Sequence, residues 1–399
     1  MSEVAAGAAS DALVVLALAR SPRLAALAEG IAAAREAAPA EGALPDPMLG
    51  FSARGEDYPG ADIGEDPMAM AAIEVSQTLP WPGKRGRRQS AAEARIGIAE
   101  AELVAMRRRL ASEVRAAYAE QTAIDASRRA LRASIDLLDL LAPSLAVRYE
   151  TGQSGQRDLI ELQLERLRLA AELDDLEARG AGHLAELAAM LDVAVADLPP
   201  LDAGLPAIDD TVVADIAPAD LAAAAVAEAR VAGARRRAEA AQGEGSPDIV
   251  LGAEYGWRDA LPPMVTARVG VELPLWQSRK QDALARAAGH EHALAEAERR
   301  EALAMAGAEV AGLQARLDAA QRQIVRLNTG SLPQAALAAE SARAGYATGD
   351  AGVAELVGAL RRLAETRAML AEREADRYTA WAALRALAGR DPVLQENRP

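Results

Sequence analysis

The sequence predicts a mainly α protein with a small β part, built from two tandem repeats of a β-hairpin followed by a long helical hairpin. Three segments of the first half each have a similar segment about 200 residues later, in the same order. The pairs are PDPMLGFSARGED with SPDIVLGAEYGWRD, LPWPGK with LPLWQSRK, and YETGQSGQRDLIEL with YATGDAGVAELVGA. One match could arise by chance, whereas three ordered matches indicate an internal duplication.

The β-hairpins are predicted from apolar and polar residues that alternate with a period of two. The pattern indicates strands at about 47–55 and 71–79 in the first repeat, and at about 248–257 and 264–275 in the second. Strands of about ten residues with aromatic residues near their ends suit a transmembrane β-barrel, although in soluble proteins such hairpins more often pack on helices. Four strands are too few to close a barrel, which takes about eight. A membrane sheet would therefore need several copies of the chain.

The helical hairpins are predicted from apolar residues that recur every seven positions, the spacing of helices that supercoil side by side. They are expected at about 84–192 and 280–389, and each reverses at a Tyr-x-Thr-Gly turn, where glycine permits the change of direction. The recurring positions are Leu103, Leu110, Ala117, Ile124, Leu131, Leu138 and Leu145 in the first repeat, and Leu303, Val310, Leu317 and Ile324 in the second.

These elements divide the chain into a first repeat at 1–197, a linker at 198–210, a second repeat at 211–390 and a C-terminal tail at 391–399. The apolar run ALVVLALA near the N-terminus lacks a basic leader. We therefore interpret it as the first helix of the domain rather than as an export signal.

Composition excludes several classes of function. The net charge of -15 argues against nucleic-acid binding, which needs a concentrated basic face. The absence of cysteine excludes disulfides, thiolate metal sites and thiol nucleophiles. His290 and His292 lie two positions apart on a predicted helix and so point in different directions, which makes them a poor metal pair. We expect no enzymatic activity, no cofactor and no metal site.

With this organisation the chain resembles the TolC family, the outer-membrane efflux channels of Gram-negative bacteria. The duplicated layout, the segment QTLPWPGKR and the two tip turns YETG and YATG carry the resemblance, which covers nearly the whole chain. It implies a homotrimer whose helices form an α-barrel tube across the periplasm and whose strands form a shared 12-stranded transmembrane β-barrel in outer-membrane lipid. It also implies two partners, a periplasmic adaptor protein and an inner-membrane pump of the resistance-nodulation-division type.

The resemblance also suggests roles for particular residues. Asp158 and Glu355 correspond to carboxylates of the family's gate, and Tyr346 corresponds to a latch residue. Three copies of each acid would form acidic rings, a common device in constrictions that prefer cations. The tip turns are the expected contacts for the adaptor, through Tyr149, Gly152, Gly155, Gly349 and Gly352.

The chain departs from the family pattern in two places. Ala351 stands where some members have a latch arginine, and Gly358 stands where a second acidic residue can occur. The gate is therefore expected to be held by fewer ionic contacts, with Arg157 as a candidate to compensate.

The two segments in which a strand gives way to a helix are candidate membrane joints. They contain Trp81 and Lys84 in the first repeat, and Trp276 and Lys280 in the second. Tryptophan suits a membrane interface. A structural role is favoured for the lysines, with contact to lipid headgroups or the mouth of the tube as the specific possibility. The LPWPGKR joint resembles most the branch of the family that works with heavy-metal cation pumps.

Two other interpretations remain open at this stage. A soluble coiled-coil scaffold, or a periplasmic adaptor without a membrane barrel, would also use long heptad helices, although an adaptor has one helical hairpin rather than two. An all-helical enzyme ranks last, because the sequence has no phosphate-binding glycine loop and no clustered catalytic residues.

Overall fold

The computed structural model describes residues 2–54, 69–201, 204–213, 215–258 and 261–396. Its helices are α1 (Ser2–Arg20), α2 (Pro22–Glu41), α3 (Lys84–Glu150), α4 (Gln156–Leu191), α5 (Ala222–Gly243), α6 (Gln281–Arg326), α7 (Leu332–Thr348), α8 (Val353–Leu387) and α9 (Pro392–Glu396). Its strands are β1 (Met48–Arg54), β2 (Met70–Leu79), β3 (Asp248–Trp257) and β4 (Met264–Glu272). The predicted fold class, a mainly helical chain in which each repeat has a β-hairpin and a long helical hairpin, is confirmed.

The end of β4 differs from the sequence prediction, which extended this strand to residue 275. The strand stops at Glu272, two residues before Pro274. Proline has no backbone N–H and cannot donate to the ladder, so a turn follows instead. Residue 55, the predicted last residue of the first strand, lies outside the described residues.

The chain forms two compact units. The tip unit, named for the two Tyr-x-Thr-Gly turns, comprises Met1–Ala26, Leu103–Ala222 and Leu303–Pro399. The sheet unit comprises Leu27–Glu102 and Ala223–Ala302. The helices α3 and α6 contribute residues to both.

The core of the tip unit is formed largely by the residues that recur every seven positions. Leucines of α3 and α4 at this spacing are buried against Leu356 and Leu360 of α8. Among the predicted positions, Leu103, Ala117, Leu303 and Ile324 are only partly buried. The fully or nearly buried ones are Leu110, Ile124, Leu131, Leu138, Leu145, Val310 and Leu317.

A buried ion cluster joins α1, α3 and the C-terminal segment. Arg115 and Asp391 are both fully buried and form an ion pair. Arg115 Nη2 also donates to Asp11 Oδ1 at 2.6 Å, and Arg385 Nη2 donates to Asp391 Oδ1 at 3.2 Å. Burial lowers the pKa of the Arg115 guanidinium, but the charges and hydrogen bonds of Asp391 and Asp11 outweigh this and raise it above its ordinary value.

The linker between the repeats is held against the helices of the tip unit. The Tyr118 hydroxyl of α3 donates to the Gly204 carbonyl at 2.7 Å, and the Trp381 indole of α8 donates to the Asp209 carbonyl at 2.9 Å. Both aromatic side chains are buried, so each polar tip finds a backbone partner in the linker.

A π-helical turn at Leu327–Ser331 interrupts the long helix of the second repeat between α6 and α7. There the Leu332 amide donates to the Leu327 carbonyl, five residues back rather than four. Such a turn takes up one extra residue without ending the helix.

This extra residue explains a change of register between the two repeats. Before the π-helical turn, buried residues match at a separation of 196 positions, whereas beyond it they match at 197. The matched buried pairs are Val114 with Val310 before the turn, Leu131 with Leu327 at its first residue, and Leu145 with Ala342 after it. The turn therefore keeps the same face of the helix in the core on both sides of the insertion.

The sheet unit contains one antiparallel sheet with the strand order β1-β2-β3-β4. The pairing of β2 with β3 joins the two repeats, with Glu74 opposite Glu254. Alternate residues share a face, and one face is apolar and exposed to solvent in the single chain. This apolar face comprises Leu49, Phe51, Ile73, Val75, Leu251, Tyr255, Trp257, Val265, Val269 and Val271.

Candidate functional site

The first tip turn connects α3 to α4. The Arg148 carbonyl near the end of α3 accepts hydrogen bonds from Gln153 N at 2.7 Å and Ser154 N at 3.2 Å. Gly152 has a φ of 74°, in the left-handed region that favours glycine. Gly155, in an extended conformation, is the N-cap of α4. The glycines predicted for this turn therefore have distinct conformational roles.

The second tip turn repeats this arrangement between α7 and α8. The Gly345 carbonyl accepts from Asp350 N at 2.8 Å and Ala351 N at 3.0 Å, Gly349 has a φ of 88°, and Gly352 is the N-cap of α8. A Cβ atom at position 345 would lie 2.9 Å from the Cβ of Ala351, so the close turn requires glycine there. The match between the two tip turns begins only at Tyr346, so the sequence pattern alone does not single out Gly345.

The two predicted gate acids occupy the same position in their helices, three residues after the N-cap. The Asp158 carboxylate accepts from Ser154 Oγ at 3.0 Å and from Gly155 N at 3.4 Å, so it caps its own helix. Glu355 is exposed in the first turn of α8. Both acids lie in the first turn of their helices, where the backbone N–H groups have no partner within the helix.

Tyr346 is buried in the last turn of α7, whereas its counterpart Tyr149 is 43% exposed. The guanidinium of Arg148 lies 4.9 Å from the centre of the Tyr346 ring. It also donates to the carbonyl oxygens of Tyr346 at 3.1 Å and Ala347 at 3.3 Å. No described residue forms a hydrogen bond with the Tyr346 hydroxyl.

Arg148 therefore joins the two tips, a role that sequence analysis missed. Its side chain supplies donors to the last carbonyls of α7, which have no partner within their own helix. Its backbone carbonyl closes the first tip turn. The only signal in the sequence was an arginine beside the first tip tyrosine, where the second repeat has Gly345.

A second ionic contact between the hairpins lies farther from the tips. Glu165 of α4 is 5% exposed and pairs through both carboxylate oxygens with the guanidinium of Arg361 on α8, with Nε 2.9 Å from Oε1. Arg168 Nη2 also donates to it at 3.2 Å. Burial raises the pKa of the Glu165 carboxyl, but the two guanidinium groups outweigh this and hold it below its ordinary value.

The position of this pair bears on the predicted weakness of the gate. Arg361 lies three residues after Gly358, the position at which the resemblance led us to expect a second acid. Glu165 lies seven residues after Asp158 and so on the same face of α4. An ionic contact is thus present near the tips, but it comes from residues that were not predicted.

At the first membrane joint, Lys84 is buried and ion-paired. Its Nζ lies 2.8 Å from Asp248 Oδ1, at the start of β3, and 4.0 Å from Glu244 at the end of α5. The Trp81 amide donates to the same Asp248 oxygen at 2.8 Å. Arg88 donates to both oxygens of Glu244, at 2.7 Å and 2.6 Å.

These contacts correct one prediction for Lys84. The side chain is only 4% exposed, and its charge is paired with the carboxylate of Asp248. It therefore does not face lipid headgroups. The corresponding residues of the second repeat differ: Lys280 is exposed, and Trp276 is 70% exposed compared with 43% for Trp81. The roles of Trp81, Trp276 and Lys280 at a membrane remain predictions.

The polar face of the sheet carries a charged network on three strands. Arg268 of β4 donates to Glu74 of β2 at 2.6 Å and to Glu254 of β3 at 3.3 Å. The guanidinium offsets the repulsion between the two carboxylates, which face each other across β2 and β3.

Two negative findings apply to the described part of the chain. No helix there combines the length and the apolar character required to cross a membrane. No three side chains of histidine, cysteine, aspartate or glutamate come together there in a way that could hold a metal ion.

Comparisons with known proteins identify relatives of this architecture. The sequence model of a family described as outer membrane efflux protein matches residues 13–191 and 219–390. The outer membrane protein VceC from Vibrio cholerae has a similar structure, with a TM-score of 0.79 at 20% identity over 96% of each chain. No curated protein sequence matches the chain.

Two further solved structures share the fold. The outer membrane channel MtrE from Neisseria gonorrhoeae, in its open state, has a TM-score of 0.76 at 18% identity, over 96% of this chain and 89% of MtrE. CusC, whose crystal structures describe conformational changes that accompany folding and transmembrane channel formation, has a TM-score of 0.77 at 18% identity. The match covers 94% of this chain and 91% of CusC. At these identities the structural likeness supports the fold alone.

Proposed function

The chain belongs to the outer membrane efflux protein family, and on that premise we propose that it is the passive exit duct of a three-part efflux pump. The observation that carries the proposal is the sheet, which has one exposed apolar face, one charged face and two unpaired edges. Within the described residues, neither β1 nor β4 has a second neighbouring strand. Unpaired backbone groups cannot remain in lipid, so a membrane sheet must close on itself.

Closure by identical copies follows from the number of strands. Three chains that each give four strands make twelve, which is enough for a closed barrel. The apolar face would then contact lipid, and the network of Glu74, Glu254 and Arg268 would face the lumen. Phe51 is 76% exposed and Val269 is 74% exposed, as expected for side chains on edge strands that have no neighbouring strand on one side. We therefore propose a homotrimer with the sheet in the outer membrane and the helices in the periplasm.

The tip turns are the proposed gate and adaptor contact. Asp158 and Glu355 would form acidic rings around the narrow end of the tube, with Tyr346 and Arg148 holding the helices that carry them. The turns that contain Gly152 and Gly349 would meet a periplasmic adaptor, and an inner-membrane pump of the resistance-nodulation-division type would supply the energy. The duct itself carries out no chemical step, so it needs neither a cofactor nor a resident metal.

Heavy-metal cations are the proposed cargo, on the strength of the LPWPGKR joint and the excess of carboxylates over cations in the lumenal network. Rescue of metal tolerance in a strain lacking its own channel, when this gene is supplied, would support this cargo. Rescue of drug tolerance alone would contradict it.

The duct is tested with the purified chain in detergent and in planar bilayers. We expect a detergent-dependent trimer by light scattering and cation-selective pores in the bilayer. A monomer or dimer that is soluble without detergent and forms no pore would contradict the proposal and favour a coiled-coil scaffold.

The gate is tested with the double variant Asp158→Ala and Glu355→Ala, which should lower the preference of the pore for cations. Asp175→Ala with Glu340→Ala is the matched control, because it removes the same number of exposed carboxylates from the hairpin helices at positions outside the tip turns. An unchanged selectivity in the gate variant, or an equal change in the control, would show that the two acids do not form the constriction.

A further inference from the structure

The two lysines of the chain occupy equivalent places in the two repeats but have different surroundings. Lys84 begins α3, and Lys280 directly precedes α6. In both cases the lysine amide donates to the carbonyl of the preceding tryptophan, Trp81 at 3.0 Å and Trp276 at 2.9 Å. Lys84 is buried against Asp248, whereas Lys280 forms no ion pair with any described residue.

The partner of Lys84 also has a counterpart in the other repeat. Asp248 lies in the segment PDIVLG, which aligns without a gap with PDPMLG, so that Asp46 corresponds to Asp248. Asp46 is exposed, and within the described part of the chain it has no cationic partner. The first repeat thus supplies the lysine of the buried ion pair, and the second repeat supplies its aspartate. Their two counterparts, Lys280 and Asp46, are left over.

The topology of the sheet explains why the pair forms only once within a chain. Lys84 follows the exit of β2, and Asp248 begins β3, the strand paired with β2. Lys280 follows the exit of β4, and Asp46 lies just before β1. Because β1 and β4 are at opposite edges of the sheet, the two leftover charges are not brought together in one chain.

We propose that Lys280 of one copy pairs with Asp46 of the next, as the intermolecular equivalent of the pair between Lys84 and Asp248. This rests on the proposed trimer, in which β4 of one copy lies beside β1 of its neighbour. The ligand for each leftover charge is therefore a second copy of this chain, and the three contacts formed around the ring would lock the barrel at its closing seams.

The repeat also gives the register of the seam. Leu79 and Leu273 both precede the proline at the strand exit, so β2 aligns with β4, and the PDPMLG alignment matches β1 to β3. Val75 lies opposite Ala253 in the observed pair of β2 with β3. Transferred to the seam, the equivalent residues are Val269 and, in the next copy, Phe51. Both belong to the exposed apolar face, so the register keeps apolar side chains on the lipid side.

The proposal predicts a covalent link between chains. The chain has no cysteine, so paired cysteines can be introduced without background. In the trimer, Lys280→Cys with Asp46→Cys should be joined between copies by a short bismaleimide, giving dimers and trimers on a denaturing gel. The matched control, Lys84→Cys with Asp248→Cys, should react within one chain and leave the mass of the band at that of a monomer.

Charge reversal gives an independent measurement. Lys280→Glu should raise the concentration at which the detergent-solubilised trimer dissociates by about tenfold or more, because it leaves like charges at a closed contact. Lys280→Glu combined with Asp46→Lys should restore the wild-type value. Light scattering on a dilution series measures both.

The outcomes separate this inference from the proposed function. Trimers that form pores but give no interchain link at 46 and 280, and that tolerate Lys280→Glu, would overturn the pairing and leave the duct intact. A wild-type chain that never forms trimers would overturn both. Interchain links with rescue by the double reversal are the expected result.

Discussion

The buried pair of Arg115 and Asp391 should give the largest single-residue effect on stability in the tip unit. The Asp391 carboxylate contacts two guanidinium groups, those of Arg115 and Arg385, and accepts from the Val393 amide at 3.1 Å as the N-cap of α9. Asp391→Asn keeps an acceptor for that amide but removes the negative charge. Among the described residues, Arg115, which is fully buried, then retains only the partly exposed Asp11 as a charged partner.

The magnitude follows from the burial of both partners. Removing one member of a buried ion pair costs about 3–5 kcal/mol, because the remaining charge stays desolvated. Asp391→Ala also removes the cap of α9 and should cost about 1 kcal/mol more. Replacing both charges, as Arg115→Met with Asp391→Leu, should restore part of the stability, since apolar pairs often match a buried ion pair, while Arg385 and the cap of α9 still lose their partner.

Tryptophan fluorescence during heating of the detergent-solubilised chain measures the effect. Trp381 reports on this region because the guanidinium of Arg385 lies 5.0 Å from its ring centre. At about 2–4 °C per kcal/mol, Asp391→Asn should lower the Tm of the tip unit by roughly 6 °C or more. The control is Asp376→Asn in α8, where the pair with Arg373 is half-exposed and is worth at most about 1 kcal/mol.

Two results would refute this reasoning about the cluster. One is an Asp391→Asn protein that melts within about 1 °C of the wild type, which would mean that Arg115 does not depend on its buried counter-charge. The other is an equal loss in Asp376→Asn, which would mean that burial does not decide the cost.

Two further predictions concern contacts between the hairpins. Glu165→Gln should cost about 1.5–3 kcal/mol at neutral pH, the range for hydrogen bonds to charged groups. Because the pKa of Glu165 lies below its ordinary value of 4.5, its contribution is present above that pH and is lost as the pH falls through the folded-state pKa. The melting curves of Glu165→Gln and wild type should therefore converge in acid, and a constant difference from pH 7 down to about 3 would contradict the assignment. Arg148→Gln should speed hydrogen exchange of the amides after Tyr346 by about tenfold, because it removes donors from the last carbonyls of α7. The control Arg343→Gln changes an exposed residue one turn earlier and should leave the exchange rates unchanged. Equal exchange rates in the two variants would exclude a contact between the tips through Arg148.

The elements of the fold were predictable because each rests on a periodic pattern. The alternation in β3 and the spacing of Leu131, Leu138 and Leu145 identify a face whatever that face contacts. The predicted end of β4 was wrong, because the alternating pattern continues past the point at which Pro274 stops the ladder. A pattern of side chains does not report on the backbone donors that a strand also needs.

The partners of individual side chains were harder to predict. The period places Glu165 on the inner face of α4, but it does not say that Arg361, from the other hairpin, lies opposite. Lys84 shows the same limit, because the repeat predicts equal roles for both lysines. Only the pairing of β2 with β3 brings Asp248 to one of them. Contacts between segments distant in sequence depend on topology, which no local pattern contains.

The long helix of the second repeat has one more residue than that of the first, and the π-helical turn takes up this extra residue. Each residue turns an α-helix by about 100°, so an uncompensated deletion in α6 would rotate the following core residues away from the core. Deleting Gly330 removes the extra residue of the π-helical turn itself. The shortened helix can then continue without a π-helical turn, as α3 does despite its internal proline, Pro143. Ala342 would remain in the core, one position earlier along the chain. We expect the Gly330 deletion to lower the Tm by only a few degrees, whereas deleting the exposed Ala315, upstream of buried Leu317, should prevent a cooperative transition. Circular dichroism melts of the two deletions compare them directly. If the Gly330 deletion unfolds the chain as thoroughly as the Ala315 deletion, the π-helical turn does not serve to absorb the insertion.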